Sequence, residues 1–102
     1  MPAPKMTDEQ RAAALARAAD ARRVRAEVKH LLKTGSMTMT DLFDRADEDD
    51  LVAGIKVGSV VVSMPHMGKV KAMRLLEELG IDGGKRLRAL GVRQKEALLG
   101  SF

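Results

Sequence analysis

Between Asp8 and Lys33 the chain runs 26 residues without a glycine or proline, in a stretch rich in Ala, Arg and Glu. Summed helix propensity makes this one long helix, about 39 Å at 1.5 Å rise per residue. Thr7-Asp8-Glu9-Gln10 forms a capping box at its start, in which the threonine side chain and the residue three positions on satisfy each other's orphan N–H groups. Thr34-Gly35 ends it. The large apolar side chains of this helix, Val24, Val28, Leu31 and Leu32, sit in its C-terminal half. That half is expected to dock, while the Ala-rich N-terminal half projects. Ahead of it, Met1 to Met6 reads as a short mobile arm.

A helix of this length constrains the remaining residues to supply the surface it docks on. At 102 residues the chain is expected to be an all-α protein with one small core. It divides into an arm and long helix (1–36) and a helical unit (37–102). Only Phe43 and Phe102 are aromatic, so the core must be built from Ala, Val, Leu, Ile and Met. The lack of Trp and Tyr argues against base stacking on aromatic platforms, and so against single-strand readers. Cysteine is absent, which excludes disulfides and thiolate metal sites. No apolar run approaches the roughly 20 residues needed to span a bilayer. The chain therefore reads as a soluble, cytoplasmic protein, with no membrane partner expected.

Charge is distributed unevenly. The formal net charge is +4, yet residues 37–55 carry six acidic and one basic side chain. Eight basic against four acidic side chains precede that segment, and nine against four follow it. The positive field on any one face therefore exceeds what the net charge indicates. With a pI near 9.8, nucleic acid is the first partner to consider and an anionic membrane the second.

Beyond the long helix, Thr38-Met39-Thr40-Asp41 is a second capping box, opening a short helix through Leu42, Phe43 and Ala46. Asp47-Glu48-Asp49-Asp50 is expected to be a solvated loop; its spacing does not match a calcium loop, and no metal site is expected. Val60-Val61-Val62 favours a strand by propensity, but no second strand-like run exists to pair with it. Gly58 to Met64 is accordingly expected to be a short buried helix.

Met64-Pro65-His66-Met67-Gly68-Lys69-Val70-Lys71 then forms a tight turn leading into another helix, with Gly68 expected to supply the freedom for the turn. Two faces of that helix compete for the core: Val70, Met73, Leu76 and Leu79, or Ala72, Leu75, Leu76 and Leu79. A glycine turn feeding a helix points unpaired N–H groups at the positive end of the helix dipole, where a phosphate is attracted. Lys69, Lys71 and Arg74 add charge in the first two turns. The alternative is a plain helix connection.

Leu79-Gly80-Ile81 closes this helix, with Gly80 in a left-handed cap. After a flexible Asp82-Gly83-Gly84 turn, Lys85, Arg86 and Arg88 surround Leu87 and Leu90, which must face inward. From Val92 a last helix carries Arg93 and Lys95 near its start, where a bound anion relieves their opposition to the dipole. The basic run Arg22, Arg23, Arg25 and Lys29 on the long helix is read as a solvated face, with a second nucleic-acid contact as its functional alternative. Enzyme readings fail for lack of a nucleophile–base–orienter arrangement: His30 and His66 are the only histidines, and Glu77-Glu78 read as surface residues. No cofactor motif is present.

Several segments together carry a family resemblance. Thr7 to Leu15, Ala21 to Arg23, Lys56-Val57, Gly68 to Ala72 and Arg86 to Gln94 resemble, in order along nearly the whole chain, the actinobacterial integration host factor family. The resemblance implies a helix-two-turns-helix fold similar to that of a small-subunit ribosomal protein, unrelated to the β-arm integration host factor of enteric bacteria. It also implies a nucleoid-associated protein that binds double-stranded DNA with little sequence preference, bends or compacts it, and assists a site-specific recombinase (integrase). The contacts it implies lie at Met64, Pro65, His66, Met67, Gly68, Lys69, Val70 and Lys71. A second set lies at Lys85, Arg86, Leu87, Arg88, Gly91, Arg93 and Gln94; Lys56 joins it, and Lys56 and Lys85 are its weaker members.

On this reading, N–H groups at Met67 to Lys69 and at the last helix hold phosphates across a minor groove. Contacts of this kind position the duplex without reading bases. For about 4 to 6 phosphates the log–log salt slope is then roughly −4 to −5. Three places depart from the family's pattern: Gly58 to Val62, the Gly83-Gly84 pair, and the heavier acidic cluster. A ribosomal or structured-RNA module is the alternative function, and a protein adaptor docking through the long helix is a third. The long helix lacks a sustained heptad seam, so a monomer is expected.

Overall fold

The long helix α1 (Asp8–Lys33) begins at a complete capping box, with the Gln10 N–H donating to Thr7 Oγ1 at 3.1 Å and the Thr7 N–H to Gln10 Oε1 at 3.0 Å. The computed structural model describes residues 5–102; the rest of the expected N-terminal arm lies outside them. Gly35, with φ at 76°, turns the chain after α1. As expected, Val28 and Leu32 are fully buried and Val24 and Leu31 pack beside them, whereas Leu15 in the N-terminal half stays 63% exposed.

Five further helices follow: α2 (Met39–Glu48), α3 (Asp50–Ala53), α4 (Val57–Ser63), α5 (Lys69–Leu79) and α6 (Val92–Gly100). A single 3₁₀ turn, Leu87–Ala89, precedes α6. The molecule extends 46 × 32 × 25 Å, elongated because α1 overhangs the packed part. The Thr38 box at the start of α2 is complete. The acidic segment is not the loop expected from its charge. Asp47 and Glu48 finish α2, and the Asp49 carboxylate accepts from the Leu51 N–H at 2.9 Å and caps α3. Short acidic side chains are good N-caps, and that preference overrides solvation. Among the described residues no group of acidic and histidine side chains is placed to hold a metal.

α4 is helical despite its three consecutive valines. Val57, Val60 and Val61, at helical spacing, are fully buried, so burial on one helix face outweighs a weak local strand preference. Ser63, buried at the end of α4, donates its hydroxyl proton to the Ser59 carbonyl at 2.8 Å. α4, the turn and α5 form the expected hairpin. Of the two candidate faces of α5, the second is inside. Ala72 and Leu76 are buried with Leu75 and Leu79 packed against them, while Val70 and Met73 are 65% and 61% exposed.

Gly80 adopts φ 68° at the end of α5, and Ile81 folds back with its N–H on the Leu76 carbonyl at 2.9 Å. The following turn is pinned rather than loose. Asp82 Oδ1 accepts the Gly84 N–H at 2.8 Å, and the Lys85 N–H donates to the Asp82 carbonyl at 3.0 Å. The segment beyond then pairs with residues 55–58. The Val57 N–H meets the Lys85 carbonyl at 2.8 Å and the Leu87 N–H the Ile55 carbonyl at 3.0 Å, an isolated antiparallel bridge between Lys56 and Arg86. Among the described residues there is no strand.

Candidate nucleic-acid interface

The first candidate grip is the turn between α4 and α5. It closes through the Met67 N–H on the Met64 carbonyl at 3.1 Å. The Met67 N–H is therefore used within the chain and is withdrawn from the expected set of phosphate donors. The left-handed residue is His66, at φ 61°, and not Gly68, whose φ of −105° any residue adopts. A Cβ on Gly68 meets nothing within 4 Å. Neither the backbone nor the packing asks for a glycine there, so its missing side chain leaves open surface at the start of α5. No side chain caps that helix. Lys69, Val70 and Lys71 line its exposed first turn.

The second candidate grip follows the Lys56–Arg86 bridge. The Arg86 guanidinium donates to the Gly54 carbonyl at the end of α3, and the Arg88 guanidinium approaches the same glycine from another side. Leu87, between them, is buried in the core; it anchors the two arginines and is not itself available to a ligand. Lys85 and Gln94 are likewise committed inside the protein. Gln94 Oε1 accepts from the Gly91 N–H at 3.1 Å and from Lys85 Nζ at 3.2 Å. Its Nε2 donates to the Gly80 carbonyl at 3.3 Å. Gln94 thus caps α6 from within and ties it to the end of α5. Arg93 is exposed beside it. Lys95 turns away, with its ammonium 5.2 Å from the centre of the Phe43 ring.

Residues from α1 complete the surface. Arg25 lines a recess of about 370 Å³ together with Lys56 and Arg86, and Lys29 and Lys33 line another beside His66 and Gly68. The signal for them was present as a basic side chain every fourth residue, Arg25, Lys29 and Lys33, but only packing shows which side of α1 faces the grips. Arg23, from the same run, is held by Asp20. Among the described residues, Arg23 and Arg45 are the only lysine or arginine side chains in ion pairs. None of the lysines and arginines of the two candidate grips is therefore ion-paired among the described residues.

Comparison with known proteins places this architecture. The S13-like H2TH domain family matches residues 32–102. Integration host factor of Mycobacterium tuberculosis is 47% identical over 102 residues, covering all of this chain and 97% of that protein. The chain belongs to the integration host factor family of mycobacteria and Streptomyces. The Streptomyces coelicolor member is 42% identical across the whole chain and 95% of its own length. A solved member of this fold, sIHF bound to an 8-base-pair palindromic DNA, superposes with a TM-score of 0.80 at 38% identity, covering 84% of this chain and 97% of that one. The integration host factor family resemblance and the helix-two-turns-helix fold read from the sequence are both upheld. No helix among the described residues is long and apolar enough to cross a membrane.

Proposed function

We propose that this chain is a nucleoid-associated protein that binds duplex DNA by its phosphates, with little dependence on sequence. The observation that carries the reading is its full-length kinship with integration host factors, one relative of the same fold having been solved on DNA. The geometry supports it through two basic grips whose lysines and arginines form no ion pair among the described residues. In the first, Gly68 lets a phosphate approach the N–H groups of Lys69 to Lys71, and the lysines add charge. In the second, Arg86, Arg88 and Arg93 neutralise phosphates, Lys56 contributes at the edge, and Lys85, Leu87, Gly91 and Gln94 hold them in place. The arm and long helix (1–36) add basic contacts to the binding unit (37–102). Bending and compaction follow from gripping one duplex at two places, and assistance to a recombinase follows from the bent product.

Fluorescence anisotropy across a salt series tests this with AT-rich DNA, GC-rich DNA and RNA duplexes. Similar tight binding to both DNAs, weaker binding to RNA and a log–log slope of roughly −4 to −5 are expected. A flat salt response overturns the phosphate mechanism, and a clear RNA preference overturns the DNA assignment.

A further inference from the structure

The two histidines of this chain are 36 positions apart in sequence, yet both line one open recess of about 710 Å³ between the end of α1 and the α4–α5 turn. α1 contributes Lys29, His30 and Lys33 to it, and the turn contributes His66 and Gly68. α4 presents Val62 and Ser63 and no charge, and Lys69 and Lys71 begin the helix just beyond. No acidic side chain lines the recess. His30 and His66 are both exposed and neither makes a side-chain hydrogen bond or ion pair among the described residues.

Histidine is the side chain whose charge ordinarily changes between pH 5 and 8. The recess gathers both imidazoles with Lys29 and Lys33 and no acidic side chain. An anion bound there interacts favourably with the charged form of either imidazole. Proton uptake by the pair and binding of an anion in the recess must then favour each other, because linkage between two binding events is reciprocal. The anion that fits is a phosphate of the duplex backbone, since the recess opens at Gly68, where the first grip begins.

We propose that this recess extends the phosphate-binding surface of the first grip onto α1, and that protonation of His30 and His66 couples DNA affinity to pH. The inference rests on the DNA-binding function proposed above. Its sign is fixed: binding tightens as pH falls from 8 to 5.5. DNA phosphates do not change charge in that window. The α-amino group does, so the comparison is with a His30→Gln/His66→Asn variant that keeps that terminus. Asparagine is chosen at position 66 because it tolerates the left-handed backbone. Both side chains are exposed and make no side-chain hydrogen bond or ion pair among the described residues, and a thermal melt of the variant checks that it folds.

The experiment measures duplex affinity of the full chain at pH 5.5 and pH 8 at equal ionic strength, for wild type and the double variant. Exposed ion pairs of ordinary strength predict that wild-type affinity rises roughly 5- to 10-fold on acidification. The salt slope steepens by up to about one unit for each phosphate newly neutralised. In the double variant the pH ratio falls to that of the terminus alone. In a separate NMR titration, adding the duplex raises the midpoints of both wild-type histidines. An unchanged pH ratio in the variant, or histidine midpoints unmoved by DNA, overturns the inference while leaving the general DNA-binding proposal standing. Absence of duplex binding at either pH overturns both.

Discussion

Gly58, at the start of α4, lies directly against Gly83: the Gly58 N–H donates to the Gly83 carbonyl at 2.9 Å, and a Cβ on Gly58 would sit 2.9 Å from that same oxygen. Two of the positions that depart from the family's pattern are thus one contact. The glycine that weakens the propensity of α4 is what lets the turn before the second grip reach it. Gly83 itself has more room, with Leu76 3.4 Å from an added Cβ.

Gly58→Ala is accordingly expected to destabilise the fold by about 1–3 kcal/mol, since backbone and not a flexible side chain must yield. Gly83→Ala costs less. Thermal unfolding of the two variants distinguishes them; equal melting temperatures would remove the close approach as the reason for Gly58.

Gly68→Ala has the opposite profile. It introduces no clash and no backbone strain, and replacing glycine at an N-cap by alanine changes stability by no more than about 1 kcal/mol. Its methyl stands in the open space through which the proposed phosphate approaches. Duplex affinity is expected to fall severalfold with the melting temperature shifted by no more than about 4–8 °C, and retained affinity counts against the first grip.

Arg86→Ala and Arg88→Ala together are expected to weaken DNA binding and to reduce the magnitude of the salt slope by about one unit per lost phosphate contact. Arg86→Ala also loses its bond to the Gly54 carbonyl, a further stability cost of about 1 kcal/mol. Unaltered affinity and slope in the double variant would reassign the site.

Gln94→Ala removes the acceptor for the Gly91 N–H and for Lys85, and the donor to Gly80. A loss of about 1–2 kcal/mol is expected from the broken cap and its tie to α5. Gln94→Glu keeps the acceptors and loses the donor, so it should lie between. Chemical denaturation of the three proteins checks the order.

Asp41 supplies a pH test on stability. Donation from the Thr38 backbone N–H, at 3.0 Å, and a smaller contribution from the Thr38 side chain hold its carboxyl below the usual carboxylate range. Because the folded value is lowered, the contribution is fully present above the ordinary value and is lost as pH falls through the folded one. The stability difference between wild type and Asp41→Asn is therefore expected to be larger at pH 7 than at pH 3, by thermal melts. A difference that does not shrink on acidification contradicts the cap.

The local part of this protein was legible in its residues. Both Thr capping boxes, the length of α1 and the Gly80 cap depend on groups a few positions apart, and short-range forces decide them; the α4–α5 hairpin followed from the residues only with the burial of Val57, Val60 and Val61. The basic side chains of the two proposed grips are visible as residue types as well. Tertiary packing alone chose Ala72 and Leu76 over Val70 and Met73 as the inner face of α5, because the two patterns are equally apolar and differ only in what they meet. It also turned Asp49 into a cap, placed the left-handed backbone on His66, and enlisted Lys85 and Gln94 in holding α6. His30 and His66 share a recess for the same reason: their proximity spans half the chain's elements and is set by how α1 docks, which no local propensity encodes.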